Sequence, residues 1–150
     1  MKVVIQRVSQ ALVSIDGKIN GSISQGFMIL AGFVNDDTDE DLNWIAGKIT
    51  GLRVFDDENG VMNLSIKDID GNILLISQFT LHALTKKGNR PSYVLAAKPE
   101  ISKPLYEKFI TVLENSLGKK IQTGIFGADM KVSLTNDGPV TIIIDSKNKQ

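Results

Sequence analysis

The chain has 150 residues, of which 42% are hydrophobic and 23% are charged, a composition typical of one globular domain with a packed core. Seventeen basic residues balance seventeen acidic ones, which argues against a protein that coats nucleic acid through a broad positive surface. The absence of cysteine excludes disulfides and thiolate zinc sites, and a single histidine excludes a His-pair metal site, so we expect neither a metal nor a cofactor.

The sequence contains no segment typical of membrane insertion or export. No apolar run approaches the ~20 residues that a membrane-spanning helix needs. The start of the chain carries charges at Lys2 and Arg7, where a signal peptide requires an uninterrupted apolar segment. We therefore expect a cytoplasmic protein that contacts no membrane.

The first part of the chain reads as strands separated by turn signals, among them the hairpin signal Asp16-Gly17 and the residue Gly26. The predicted strands span residues 2–8, 11–15, 19–23 and 27–34. The run Phe27 to Ala31 is apolar without alternation, which predicts a strand buried on both faces or enclosed by a dimer.

A helix is predicted from about Asp39 to Gly51. Thr38, with Asp41 three residues later, resembles a capping box. Apolar residues then recur at helical spacing, namely Leu42, Ile45, Ala46, Ile49 and Leu52. Trp44 lies beside this stripe and is predicted to pack at the helix edge or at a subunit contact, with nucleobase stacking as a weaker alternative.

The acidic run at residues 56–60 lacks the ligand spacing of an EF-hand, so it is predicted to form a hairpin tip rather than a cation loop. Strands are predicted to follow over residues 65–69 and 73–79. A second helix is predicted to begin near Pro99 and Pro104 and to end at Gly118. Its apolar stripe consists of Leu105, Phe109, Val112, Leu113 and Leu117.

The chain is predicted to end in strands over residues 122–123, 131–134 and 140–144, followed by a frayed polar tail over 146–150. Strands outnumber helices, and hairpin signals outnumber crossover signals. The predicted fold class is therefore α+β, with a mostly antiparallel, barrel-like sheet and two main helices.

Three short motifs carry the functional information. They are SQFTL (Ser77 to Leu81), GNRPSY (Gly88 to Tyr93) and NDGPVT (Asn136 to Thr141). The last places a Gly-Pro dipeptide where a strand is predicted to begin. Proline donates no ladder hydrogen bond and glycine permits close approach, so this dipeptide can present bare carbonyls to a ligand, although an ordinary turn is the simpler interpretation.

Together the three motifs resemble the D-aminoacyl-tRNA deacylase family. The resemblance runs from Met1 to Asp145, so a single domain is expected over 1–145 with the tail 146–150 outside it. It implies a homodimeric hydrolase that binds the acceptor end of tRNA, but not DNA, and needs no cofactor. The implied reaction is hydrolysis of the ester of D-aminoacyl-tRNA, and of mischarged glycyl-tRNA, as chiral proofreading.

The resemblance also implies a catalytic site made mostly of backbone. Peptide N–H groups of Phe79 and Thr80 are expected to stabilise the oxyanion formed from the ester carbonyl, while Ser77 and Gln78 shape the pocket. Water is the implied nucleophile. The adjacent ribose 2′-hydroxyl is expected to assist proton transfer.

In the family the Gly-Pro dipeptide is cis and enters the pocket of the other subunit, and Gly138-Pro139 match it. Its carbonyls are expected to hold the substrate ammonium and to exclude an L side chain. Asn136 and Thr141 are expected to brace the dipeptide, and Arg7 to lock its orientation. Residues expected to contact the tRNA end are Lys86, Lys87, Arg90, Pro91, Ser92 and Tyr93.

Two alternatives remain open on the residues alone. Thr80 and His82 would point to the same face of a regular strand and could act as nucleophile and base of an esterase, although no carboxylate in the motif would orient the imidazole. A non-catalytic RNA-end binding module is the other alternative. In it, Phe79, His82 and Tyr93 would stack bases beside the basic residues of the neighbouring loop.

Overall fold

A mixed, nearly closed sheet and two helices make up the computed structural model, which describes residues 1–150. The strands are β1 (Lys2–Ile15), β2 (Lys18–Ile23), β3 (Gly26–Gly32), β4 (Phe55–Asp56), β5 (Met62–Leu64), β6 (Asn72–Ser77), β7 (Gln122–Thr123) and β8 (Lys131–Asp145). The helices are α1 (Asp39–Gly51) and α2 (Pro99–Leu117), and a 3₁₀ turn spans Phe79–His82.

The main sheet has the order β2-β1-β3-β6-β7, and β8 also pairs with β1. β1 pairs antiparallel with β2, β3 and β8, whereas β3–β6 and β6–β7 are parallel pairs. The α+β class and the barrel-like form are therefore confirmed, with a mixed sheet. At the open side, the Asn20 Nδ2 atom donates a hydrogen bond of 2.7 Å to the Thr123 carbonyl, which brings β2 against β7.

β3 is buried on both faces within a single chain. Phe27, Ile29 and Ala31 belong to a core cluster that includes the buried sides of both helices, whereas Met28 belongs to a second cluster with Val8 and other strand residues. The predicted burial is confirmed. It arises inside the chain, so the apolar pattern of this strand is no evidence for a dimer.

Both helices lie where the sequence predicts them. α1 begins after Thr38, whose backbone N–H donates to the Asp41 carboxylate at 2.8 Å, and it ends at the predicted Gly51. α2 begins at Pro99, contains Pro104 in its first turns, and is followed by Gly118 in the left-handed conformation (φ 88°). Neither helix combines the length and apolarity that crossing a membrane requires.

Several predicted strands differ from the observed ones, and the strand predicted at 27–34 ends at Gly32. Residues 65–69 form a turn, in which the Ser65 N–H donates to the Asp68 carboxylate and the Asp68 N–H to the Ser65 hydroxyl. The strand at 73–79 ends at Ser77. The predicted pairs of strands at 2–8 and 11–15, and at 131–134 and 140–144, are each one continuous strand, because β1 and β8 pair along almost their whole length.

The end of the chain is anchored rather than frayed. The Ser146 side chain is buried, its backbone N–H donates to the Met1 carbonyl at 2.9 Å, and its hydroxyl accepts a hydrogen bond from the Met1 ammonium group. The Lys147 ammonium group lies 2.9 Å from the Asp41 carboxylate. Trp44 packs at the edge of the core with the Lys149 ammonium group 4.7 Å from its ring centre, so its predicted packing role is observed.

Candidate active site

A cavity of about 380 Å³ opens where the parallel strands β3 and β6 end. One wall comes from the ends of these strands, including Gly32 and Ser77, followed by Gln78 and Phe79. The segment 126–130 forms another part of the lining. The cavity thus combines apolar and polar residues, as ligand pockets generally do.

The SQFTL segment changes conformation at the cavity. The Gln78 N–H donates to the Ala31 carbonyl at 2.7 Å and continues the β3–β6 ladder by one step. The chain then enters the 3₁₀ turn. The first N–H groups of such a turn, those of Phe79 and Thr80, have no acceptor within the turn.

The Thr80–His82 alternative depends on a regular strand, and the structure contradicts that premise. Both residues lie in the 3₁₀ turn, and no hydrogen bond joins their side chains. The Thr80 hydroxyl instead accepts a hydrogen bond of 2.6 Å from the Gln78 side-chain amide. The Nε2 atom of His82 is buried without a hydrogen-bond partner, a poor placement for a general base.

The strand that carries the motif is anchored from α2. The Tyr106 hydroxyl donates a hydrogen bond of 3.0 Å to the Leu75 carbonyl, two residues before Ser77. Burial raises the pKa of Tyr106 to about 12, so the hydroxyl remains a proton donor throughout the working range of pH. The centre of the Tyr106 ring also lies 5.9 Å from that of Phe126, which lines the cavity.

The Gly-Pro dipeptide protrudes from the middle of β8 rather than opening a strand. Val8 of β1 pairs with Asn136, and Gln6 pairs with Thr141. The four β8 residues between these pairs, 137–140, therefore lie opposite a single residue of β1, Arg7. This large bulge pushes Gly138 and Pro139 to the surface. The Gly138–Pro139 peptide bond is cis, and Gly138 has a φ of 125° that only glycine adopts readily.

Arg7 and Asn136 hold the two sides of this bulge. The Arg7 Nε atom donates to the Asp137 carbonyl at 3.0 Å, and its Nη1 atom donates to the Val54 carbonyl at 2.7 Å. The Asn136 Oδ1 atom accepts from the Val140 N–H at 3.1 Å, and its Nδ2 atom lies 3.1 Å from the Thr141 hydroxyl. The bulge is therefore braced from both flanks.

One chain does not bring the predicted site residues together. The cavity is lined by Ser77, Gln78 and Phe79, whereas the Gly138-Pro139 bulge and its braces do not line it. Thr80 also lies outside the lining, and its hydroxyl accepts a hydrogen bond from the Gln78 side-chain amide. The Gly138-Pro139 bulge is therefore not part of the cavity lining of its own chain.

The basic loop is a small hairpin beside the cavity. Leu84 and Ser92 form two backbone hydrogen bonds, of 2.8 and 3.0 Å, that close the loop at its base. Pro91 precedes this closure. The side chains of Lys86, Lys87 and Arg90 are exposed and make no ion pair. Tyr93 packs edge-to-face against Phe79, with ring centres 5.1 Å apart, which connects the loop to the cavity wall.

Part of the cavity lining was not predicted from the sequence. Phe126 and Met130 line the cavity together with Asp129, as do Ala97 and Ser102 near the start of α2. The only available signal was the glycine-containing stretch Phe126 to Met130 between two predicted strands, which is typical of many loops.

Comparison with known proteins supports one family. The family model for D-Tyr-tRNA(Tyr) deacylase matches residues 4–145. The D-aminoacyl-tRNA deacylase of Flavobacterium psychrophilum is 67% identical over 150 residues, and that of Bacteroides fragilis is 65% identical, each alignment covering 100% of both chains.

Two solved structures share the fold. The c-Myc DNA Unwinding Element Binding Protein is 39% identical, with a TM-score of 0.92 over 97% of this chain and 98% of that one. A probable eukaryotic D-amino acid tRNA deacylase is 17% identical, with a TM-score of 0.82 over 95% of this chain and 97% of that one, and it supports the fold alone.

Proposed function

Because this chain belongs to the D-Tyr-tRNA(Tyr) deacylase family and is a hydrolase, we propose that it removes D-amino acids from tRNA through a pocket made of backbone groups. The observation that carries this proposal is the SQFTL segment itself. It ends a buried strand, lines the cavity with Ser77, Gln78 and Phe79, and begins a 3₁₀ turn whose first peptide N–H groups have no acceptor within the turn, which supports a site of peptide donors rather than of a nucleophile and base.

The proposed reaction is attack of water on the ester carbonyl. The water oxygen bonds to the carbonyl carbon, and the former carbonyl oxygen carries the negative charge of the tetrahedral intermediate. The N–H groups of Phe79 and Thr80 stabilise this charge, an effect worth about a hundredfold or more per donor in acyl-transfer enzymes. The attacking water gives up one proton, which the adjacent ribose 2′-hydroxyl helps to relay. The carbonyl then re-forms as the bond to the ribose ester oxygen breaks, and that oxygen takes the relayed proton, so the products are the free amino acid and the tRNA hydroxyl.

Selectivity for the D configuration is proposed to come from the Gly138-Pro139 bulge of a second subunit. The bulge is exposed, is absent from the lining of its own chain's cavity, and is braced by Arg7 and Asn136, which suits an element that completes another pocket. Rigid backbone near the substrate α-carbon would clash with an L side chain. Glycine has no side chain to clash, so glycyl-tRNA is a second proposed substrate.

The acceptor end of the tRNA is proposed to lie along the hairpin at residues 84–92. Lys86, Lys87 and Arg90 have no competing carboxylate partner and can bind phosphates. The Phe79–Tyr93 ring pair offers an aromatic surface between these charges and the cavity. Ser92, which follows Pro91, closes the base of this loop through its two backbone hydrogen bonds with Leu84.

A deacylation assay tests the proposal directly. The full chain is incubated with the same tRNA charged with a D-amino acid, with its L enantiomer or with glycine. We expect hydrolysis of the D and glycyl esters and survival of the L ester. A protein that binds and protects all three esters would be an RNA-end binding module and would refute the proposal.

We predict that Thr80→Ala and His82→Ala each keep substantial deacylase activity. The proposed chemistry uses the Thr80 peptide N–H and not its hydroxyl, and the His82 Nε2 atom is buried without a partner. Loss of a true nucleophile or base costs roughly a thousandfold or more in kcat. A loss of that size in a folded variant, or a trapped acyl-enzyme, would instead support the Thr80–His82 esterase mechanism.

We also predict a symmetric homodimer, because a bulge that completes a neighbouring pocket is useful only when a second copy is present. Sedimentation velocity at the enzyme concentration of the assay should give the mass of two chains. A fully active species with the mass of one chain would contradict both the dimer and the shared pocket.

A further inference from the structure

Gly32, the last residue of β3, lies against the backbone of the SQFTL segment. A Cβ atom at this position would be 2.7 Å from the Gln78 carbonyl oxygen, closer than side chains pack in proteins. It would also be 3.1 Å from the His82 ring and 3.2 Å from the Leu81 Cβ atom. The nearest neighbour is backbone, which cannot rotate aside as a flexible side chain can.

The absence of a side chain at Gly32 is not explained by backbone conformation. Gly32 lies in a regular strand, pairs with Lys2 of β1, and is not among the residues with positive φ. An alanine fits the backbone angles of such a strand without strain. The contact with the Gln78 carbonyl is therefore the specific reason why a side chain does not fit here.

The Gln78 carbonyl and the Phe79 N–H belong to one peptide unit. Because this unit is planar, a rotation that moves the oxygen also moves the N–H on the opposite edge. The Gln78 oxygen accepts a hydrogen bond of 3.3 Å from the Leu81 N–H, and it rests against Gly32. The preceding peptide is held by the 2.7 Å bond from the Gln78 N–H to Ala31.

We propose that Gly32 is a positioning residue for hydrolysis. Its bare α-carbon fixes the plane of the Gln78–Phe79 peptide and so aims the Phe79 N–H at the oxyanion. This inference rests on the proposed function, in which that N–H is a donor to the transition state. A misplacement of about 1 Å at a catalytic group costs on the order of a hundredfold in rate.

The test compares Gly32→Ala with Gly47→Ala, a control in which the same methyl group is added to α1 with no atom within 4 Å. Each variant is assayed with D-aminoacyl-tRNA, and its affinity for a non-hydrolysable amide analogue of D-aminoacyl-adenosine is measured. For Gly32→Ala we expect kcat to fall on the order of a hundredfold with analogue affinity changed less than about threefold. Gly47→Ala should match the wild type in both measurements.

A loss of kcat without a loss of analogue affinity distinguishes a positioning role of Gly32 from a methyl group that simply blocks the cavity. Gly32 also lines the cavity, so a methyl group that merely blocked the ligand would weaken analogue binding in proportion to the loss of activity. That proportional loss, or wild-type kcat in Gly32→Ala, would overturn the inference. Failure of the wild type itself to hydrolyse D-aminoacyl-tRNA would instead refute the proposed function.

A crystal structure of the wild type with the same amide analogue provides a second test that does not depend on the folding of a variant. We expect the analogue carbonyl oxygen within hydrogen-bond distance of the Phe79 nitrogen, with the Gln78 oxygen still against Gly32. An analogue carbonyl directed away from Phe79 would overturn the inference even if the enzyme is active.

Discussion

Gly138→Ala is expected to lower kcat for D-aminoacyl-tRNA on the order of a hundredfold while the protein remains folded. Gly138 has a φ of 125°, which an L residue rarely adopts, and an added Cβ atom would lie 2.9 Å from the Arg7 Nη2 atom and 3.0 Å from the Val140 Cγ2 atom. The bulge must therefore shift. Because it is exposed, it can do so without opening the core, and the pocket that it is proposed to complete loses its shape.

The control for Gly138→Ala is Gly60→Ala. Gly60 also has a positive φ, of 72°, but it lies at the β4–β5 hairpin tip, where an added methyl group would have no atom within 4 Å. It also places alanine at positive φ without touching the bulge, although at a lower cost, because a φ of 72° lies near the left-handed region that L residues can enter. The activity of both variants is assayed with matched D- and L-aminoacyl-tRNA, and their thermal unfolding is measured. Equal activity in the two variants, with unchanged rejection of the L ester, would show that chirality is read elsewhere.

Exchange of subunits between two variants tests whether the bulge acts in the pocket of the neighbouring subunit. Consider a dimer of one Gly138→Ala chain and one Gly32→Ala chain. The proposed pocket of the Gly138→Ala chain contains that chain's native Gly32 and its partner's native bulge, whereas the other pocket carries both substitutions. Random exchange of subunits should therefore restore about a quarter of the wild-type activity, because half of the dimers are mixed and half of their pockets are intact. No recovery after verified exchange would place the bulge in its own chain's site.

Local signals predicted much of the fold. The boundaries of α1 follow from Thr38, Asp41 and the apolar spacing, and the end of α2 follows from Gly118. These features depend on residues within one or two turns of each other. The parallel pairing of β3 with β6 depends on packing between segments far apart in the chain, and hairpin signals alone do not reveal it.

The bulge in β8 shows why other parts of the fold could not be predicted from the spacing of residues in the sequence. The residues Asn136 to Thr141 look like a turn between two strands, because glycine and proline usually end a strand. The long partner strand β1 pairs on both sides of them, so the strand continues and only four residues leave the ladder. Similarly, β6 ends at Ser77 because the next residues fold into the 3₁₀ turn against Gly32.

The candidate site was predicted by resemblance rather than by chemistry visible in the sequence. A site made of peptide groups has no characteristic pattern of side chains, so Thr80 and His82 attract attention although the structure separates their functional groups. The contact between Gly32 and the Gln78 carbonyl joins residues 46 positions apart, and no local pattern indicates it.

The second large effect is expected for Arg7→Met, which should lower both stability and activity. The Arg7 side chain is buried and donates to the Val54 and Asp137 carbonyls, whereas its carboxylate partners Asp56 and Asp137 are about half exposed. Ion pairs with exposed groups contribute little. The main loss is two carbonyls left without a charged donor, which predicts a decrease of about 3 kcal/mol in the free energy of unfolding.

Arg7→Lys is expected to rescue little of this loss, because one ammonium group cannot reproduce the fork of a guanidinium that reaches Val54 and Asp137 together. Arg53→Met is the matched control, since the exposed Arg53 also donates to a carbonyl, that of Asn63. Urea unfolding and deacylation of matched D and L esters are measured for all three variants. If Arg7 holds the bulge, Arg7→Met and Arg7→Lys lose D-ester hydrolysis even at temperatures where both are folded, and Arg53→Met does not. Stable variants of Arg7 with full activity would show that the bulge keeps its shape through Asn136 alone.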